Sequence, residues 1–356
     1  MIHLPTIQSA FRAFQFSTLV LAAAVFAQCS EAEKAVPEPE PVPEEETLPE
    51  DEKEPEGETS PEGEKNPDGE NKPEGDTDPE GDKDPEPEPE PLPPGVFFAK
   101  GVSKSSGWYD VNKKGDGRTE EGDATMCWAA SAANMLQWWQ DRYREMHGSL
   151  PAAAVTGVGK KYELAIFELY QRDWVNMHGS EVYYGIPWYF TGENRGKNAV
   201  LTAQPKEGTG GYWSAEWPNL ESQMGTDYVP YLQSYYGWGP ERPDQSKQPL
   251  DIVTELVVKG MKEGIVSLSI TVGYSIQHAI TLWGYEVDGQ GKISKMYVTD
   301  SDDLIDTPST PRVQLLNEYN VLQKGNEVVI ENGKNSFQLS QITRLKAIFS
   351  DKKATW

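Results

Sequence analysis

Residues 123–139 read Asp123-Ala-Thr-Met-Cys127-Trp-Ala-Ala-Ser-Ala-Ala-Asn-Met-Leu-Gln-Trp-Trp139. From Cys127 onward, the apolar positions 129, 132, 133, 136, 139 and 143 recur at helical spacing. The Ala-rich opening adds helix propensity. Upstream, Gly115-Asp-Gly117 and Glu120-Glu-Gly-Asp123 have the composition of a loop, with Asp123 and Thr125 as expected helix caps. Cys127 is therefore expected at a helix start. Unpaired N–H groups and the positive end of the helix dipole there favour thiolate over thiol. Ala129 and Ala130 would let the first turn pack closely against a sheet. A buried, inert cysteine fits the same helix, so the helix alone leaves the thiol's role open.

A thiol nucleophile needs a base, and the C-terminal half supplies a candidate. Val266-Ser-Leu-Ser-Ile270 reads as a strand, and a second runs from His278 to Val287. Asp288-Gly-Gln-Gly291 is a turn, and Lys292 to Asp300 forms the return strand. In an antiparallel hairpin centred near 289–290, paired positions sum to about 578–580, and His278 with Asp300 satisfies this. The two are expected as cross-strand neighbours, an arrangement in which a carboxylate holds an imidazole tautomer. Asp302 lies two residues further on and is within reach of the same region. An ordinary polar hairpin end would look the same in isolation.

The chain has two Cys and four His. His3 falls in the leader, so His147, His178 and His278 are the candidate bases. Cys29 follows an apolar run, Phe16 to Ala27, of signal-peptide length and too short for a membrane span. If Cys29 is a lipid-acceptor cysteine, Cys127 has no disulfide partner, and an exported free thiol calls for a reason. An ordinary secretory signal with an incidental Cys29 is the alternative. No His/Cys/Asp cluster has structural-zinc spacing, and neither a metal nor an organic cofactor is expected.

The order Cys, His, Asp matches papain-like cysteine peptidases. More closely, Gly107-Trp-Tyr-Asp-Val-Asn-Lys113, Cys127 to Trp139, His278-Ala-Ile-Thr-Leu-Trp-Gly284 and Tyr297-Val-Thr-Asp-Ser-Asp302 resemble the immunoglobulin-G-degrading cysteine endopeptidases of IdeS/Mac type. The resemblance covers roughly Ser106 to Phe349 and is strong at its two ends. It implies an α+β fold of papain-like kind, with a nucleophile helix packed on an antiparallel sheet. It also implies Cys127 as nucleophile, His278 as base and then acid, Asp300 as its orienter and Asp302 as an assisting carboxylate. Lys113 would form the oxyanion site with the Cys127 N–H, with the adjacent Lys114 as the alternative. The implied activity is hydrolysis of a host protein, immunoglobulin G at the hinge being the implied substrate. Residues 147–250 match poorly, and their Trp213, Trp217 and Trp238 fit either a substrate surface or a core. Two other functions stay open: a non-catalytic immunoglobulin- or glycan-binding surface lipoprotein, and a thiol enzyme with another acyl acceptor.

Charge separates this region from the rest. The net charge is −25, but residues 30–95 hold 26 acidic and five basic side chains, so 21 of those charges sit there. That stretch also holds 16 of the 27 prolines and a six-residue repeat, PEGETS from Pro55 to PEGDKD from Pro79. From Asp51 to Glu90 it has no Val, Ile, Leu, Met or aromatic residue, so it cannot form a core. The expectation is a leader (1–29), a disordered acidic spacer (30–95) and a peptidase domain (96–356). At about 3.1 Å per residue the spacer would reach on the order of 150–200 Å. Inert low-complexity sequence is its other reading. An outer-membrane or cell-surface lipoprotein anchored at Cys29 is expected, with secretion as the alternative. Nucleic-acid binding is not expected, because no basic patch stands out.

Overall fold

The computed structural model describes residues 92–347, apart from 115–116, 118, 120–121, 160–162, 225–230, 233–245, 273–275, 304–315 and 334. The leader, Cys29, the repeats of the spacer and Trp238 lie outside the described residues.

The C-terminal half is a meander. Strands β5 (Gly264–Val272), β6 (Ile276–Val287), β7 (Ile293–Thr299), β8 (Asn317–Lys324), β9 (Glu327–Glu331) and β10 (Ser336–Lys346) pair antiparallel with their sequence neighbours. β10 then pairs with β5, Lys346 opposite Gly264, closing a six-stranded barrel. Closure leaves no long free edge among these strands. Two short strands add to its rim. β1 (Gly95–Phe98) continues the β6 ladder where β5 leaves it, Phe98 opposite Gly284, and β4 (Tyr231–Leu232) pairs with β10. Gly284 is needed there, because a Cβ would lie 2.4 Å from the Phe98 ring. The tight turn between β6 and β7 is the expected one. Asp288 Oδ1 accepts the N–H groups of Gln290 and Lys292, and Gly291 supplies φ +76°.

Among the described residues five helices accompany the sheet: α1 (Cys127–His147), α2 (Ala165–Asp173), α3 (Val182–Thr191), α4 (Trp217–Met224) and α5 (Pro249–Glu263). α5 begins with Pro at its first position and lays Ile252, Val253, Val257, Val258 and Met261 onto β5 and β10. α1 is different. Every residue from Trp128 to Asp141 is buried, not only the apolar stripe read from its spacing. The helix lies between β5 and β6 on one side and α2 and α3 on the other. Its polar residues are therefore buried with partners: Asn134 accepts from Val111 N–H and donates to Thr281 Oγ1, and Gln140 accepts from Tyr189 OH.

The helical side is packed with aromatic rings. Trp128 lies 4.7 Å from Trp174, and Trp139 lies 4.9 Å from both Phe190 and Trp213. Each such pair adds about 0.5–1.5 kcal/mol beyond area burial. Trp213, 1% exposed, is thus a core residue, and Trp217 packs on Phe190. Beside this cluster, β2 (Trp174–Val175) and β3 (Gln204–Pro205) form a separate two-stranded ribbon.

Candidate active site

Three stretches distant in sequence converge at the start of α1. The first is 108–114, an extended segment between α1 and the end of β7. Thr299 Oγ1 donates to the Tyr109 carbonyl, Val111 N–H to Asn134 Oδ1, and Lys113 N–H to the Ser301 carbonyl. The second is 123–127, leading into the helix. The third comprises His278 and Ala279 on β6 with the 300–302 turn after β7.

Both expected caps have partners in other segments. Asp123 accepts the Lys114 N–H at 2.6 Å, and the Thr125 hydroxyl donates to the Asn176 carbonyl at 2.7 Å. Met126 occupies the N-cap position, with no side-chain hydrogen bond to the helix. The N-cap side chain thus leaves the first-turn N–H groups uncapped, and Cys127 opens the helix at its positive end.

His278 and Asp300 meet, but not as ladder neighbours. Bulges between Leu282 and Gly284 and between Glu286 and Val287 offset each other, the paired positions sum to 580 at both ends, and the β6–β7 ladder ends at Thr281 opposite Thr299. In the backbone His278 pairs instead with Ile270 on β5. Asp300 lies just past the last pair and reaches His278 through its side chain, Oδ1 to Nε2 at 2.7 Å. The same oxygen accepts the Asp302 N–H at 2.9 Å, which fixes the carboxylate in a local turn. With Nε2 engaged, Nδ1 is the nitrogen left to face the thiol, and Cys127 and His278 lie close enough to bias each other's protonation.

Lys113 is the residue that points inward, its side chain only 6% exposed, whereas Lys114 is exposed. Its ammonium donates to the Ala124 carbonyl at 2.9 Å and pairs with Asp302 Oδ1 at 2.8 Å. The other Asp302 oxygen is 3.7 Å from His278 Nδ1. Asp302 thus spans the cation and the imidazole while remaining half exposed.

The electrostatics follow from this packing. Burial pushes the Cys127 thiol up, but the His278 hydrogen bond and charge, the Lys113 charge and the Ala279 N–H together bring it below its ordinary value. Burial pushes His278 down, and Asp300 together with Cys127 more than reverses this, holding the imidazole well above its usual range. Asp300 is held below the usual carboxylate range: burial raises it, and the His278 charge and hydrogen bond outweigh that. Lys113 is raised despite burial, by the charges of Cys127 and Asp302. All directions favour a thiolate beside an imidazolium, the state a thiol nucleophile requires.

His278, Asp300 and Asp302 also bring three potential metal-ligand atoms within 4.8 Å of one another. The Lys113 ammonium, 2.8 Å from one of those carboxylates, would repel a cation there. The set is better matched to proton transfer.

Cys127, His278, Asp300, Asp302 and Lys113 are therefore brought together. His147 is not with them: it stacks on Tyr143 at the far end of α1, while His178 is exposed. Two contributors escaped the sequence reading. The Ala279 N–H acts on the thiol through the backbone, detectable only as the neighbour of His278. The Ala124 carbonyl aims Lys113, and no side-chain pattern marks it.

Comparison with known proteins falls on the same segments. The family described as Mac 1 matches residues 96–183 and 250–328, blocks that contain all five site residues. The match extends through 147–183, further into the middle of the chain than the motif resemblance reached. An IgM protease from Streptococcus suis (strain P1/7) is 27% identical over 222 residues, covering 55% of this chain and 18% of that protein. The chain thus spans less than a fifth of that relative's length.

Proposed function

Because the chain belongs to the Mac-1 family, we propose that it is a cysteine endopeptidase of papain-like arrangement that cleaves immunoglobulin chains. The observation that carries this reading is His278 held between Asp300 and Cys127, with the Lys113 cation beside the thiol. The Cys127 thiolate attacks a peptide carbonyl carbon. The carbonyl oxygen becomes an oxyanion, which takes hydrogen bonds from Cys127 N–H and the Lys113 ammonium. The C–N bond breaks as the His278 imidazolium gives its proton to the leaving amine. Water then attacks the thioester, with His278 now the base, and releases the acid and the thiol. Asp300 keeps Nε2 protonated, so Nδ1 stays directed at the thiol and at the leaving group.

The substrate class is supported by the family and by the name of the S. suis relative, an IgM protease. Immunoglobulin G cut at the hinge is the narrower reading. Purified immunoglobulins G and M and whole serum, incubated with the protein and read by mass spectrometry, test both. Fragmentation by wild type and not by Cys127→Ala is expected. Immunoglobulin that stays whole but bound would replace this reading with a non-catalytic binder, and crosslinked chains would indicate another acyl acceptor.

Beyond the catalytic region, Cys29 is proposed as a lipid attachment point and 30–95 as the spacer carrying the enzyme off a cell surface. The sequence pattern supports this. Fatty-acid labelling that persists in Cys29→Ser would refute it.

A further inference from the structure

We infer that the wall formed by residues 176–181 and 200–204 is a substrate subsite taking an aliphatic side chain of the polypeptide close to the scissile bond. This rests on the peptidase reading above and deepens it.

Position is the first argument. The wall is attached directly to the approach to the nucleophile. Thr125, two residues before Cys127, donates its hydroxyl to the Asn176 carbonyl at 2.7 Å. The Thr125 carbonyl lies 3.7 Å from where a Cβ would sit on Gly179. The Gly179 carbonyl in turn accepts the Ala203 N–H at 2.9 Å and the Thr202 hydroxyl at 3.2 Å. Below them the β2–β3 ribbon, Val175 opposite Gln204, holds the two segments antiparallel. Hydrogen bonds at Asn176 and at Gly179, joined by the short 176–179 segment, therefore link the nucleophile's loop to residues 202–203.

What the wall presents is apolar. Met177 is 49% exposed, Val200 88% and Leu201 75%. These three are among seven large apolar side chains exposed in the described residues, and two of them are consecutive. Scattered exposed hydrophobics need no explanation, but a group anchored beside a nucleophile suggests a ligand. Met suits such a surface, because its flexible thioether adapts to different aliphatic shapes.

The third observation is backbone strain. Leu201 has φ +56°, the single positive-φ residue other than glycine among the described residues. Leucine has no polar side chain to stabilise that conformation locally, as Asn or Asp would. Thr202 and Ala203, the latter 2% exposed, pin the chain on one side of it. The same residue that holds this unfavourable conformation is 75% exposed. Such outliers cluster where function needs them. Val200 and Leu201 also fall in 184–249, the stretch between the two matched family blocks. The wall thus joins a segment inside the first matched block to one outside both.

The test is a double variant, Val200→Ser with Leu201→Asn, because Asn tolerates positive φ and keeps the backbone in place. Three readouts are taken on the full chain: the rate of Cys127 alkylation by iodoacetamide, kcat/KM on an immunoglobulin chain, and the cleavage-site profile on a proteome-derived peptide library. The expected result is unchanged alkylation, kcat/KM lower by about tenfold or more, mainly through KM, and loss of an aliphatic preference that wild type displays. Leu201→Gly is the second variant. It relieves the strain, so it should raise Tm and still lose the preference. A wild-type profile with no aliphatic preference, or variants that match wild type in kcat/KM and profile, would overturn the subsite while leaving the peptidase intact. Wild type that alkylates but cleaves nothing would remove both readings together.

Discussion

Replacing Asp300 tests the His278 geometry most directly. Its carboxylate is 15% exposed and accepts two hydrogen bonds, from His278 Nε2 at 2.7 Å and from Asp302 N–H at 2.9 Å. A hydrogen bond to a charged group is worth about 1.5–3 kcal/mol, or roughly 10- to 150-fold in rate. Asp300→Ala loses both the acceptor and the charge, so kcat/KM should fall by about 100-fold. Asp300→Asn keeps an acceptor for Nε2–H and loses only the charge, so a fall nearer tenfold is expected. The pH profile distinguishes this from general damage. In wild type the Cys127 thiol sits below its ordinary value and His278 well above. The reactive thiolate–imidazolium pair exists between those two limits. Raising pH through the Cys127 value forms it, and raising pH through the His278 value ends it. Without the Asp300 charge, the His278 value falls. The thiolate then loses part of its stabilising partner, so the Cys127 value rises. Both limbs of the bell must move inward. Iodoacetamide alkylation of Cys127 across pH 4–10 measures the acid limb without any substrate, and kcat/KM measures both. An Asp300→Ala protein of unchanged Tm whose limbs stay in place would refute the argument.

Further outcomes can be checked in parallel. Lys113→Met should lower kcat by about 10²–10³ through loss of an oxyanion donor, with KM little changed and the acid limb of alkylation moved up; kcat within threefold of wild type would remove Lys113 from that role. Asp302→Asn should be milder, about tenfold, because Lys113 keeps the Ala124 carbonyl; stopped-flow turnover of both variants side by side gives the order. Gly107→Ala should destabilise the fold by about 1–3 kcal/mol, since Gly107 has φ +85° and a Cβ would lie 2.1 Å from the Gly101 carbonyl oxygen; calorimetry should show a Tm lower by roughly 2–4 °C per kcal/mol.

The parts legible in the sequence were those encoded locally. The 3.6-residue spacing after Cys127 marks α1, and the Asp288–Gly291 turn marks the β6–β7 hairpin. The resemblance of the Gly107–Lys113 segment pointed to Lys113 over a solvated loop charge. What stayed hidden depends on distant or backbone contacts. Barrel closure needs β10 against β5, some seventy residues apart, and no local pattern announces that pairing. The β6–β7 pairs sum to 580–581 and the ladder stops at Thr281 opposite Thr299, so His278 and Asp300, which sum to 578, meet through side chains and a turn, not across a ladder. Asp123 and Thr125 have the chemistry of caps, yet partners in other segments claim both. The burial of α1 on all sides reflects α2 and α3 closing over it, which its own spacing cannot convey.

The convergence of three separate segments on Cys127 has a consequence for when the thiol becomes reactive. The groups that lower it (His278, Ala279 and Lys113) reach it only once α1 has docked on β6 and the 108–114 segment has threaded beside the 300–302 turn. In the unfolded chain Cys127 is an ordinary thiol, titrating near 8.5. Latency thus needs no inhibitory segment. A chain still being synthesised carries the thiol in an unarmed form, and the tertiary contacts among these segments are the ones that arm it.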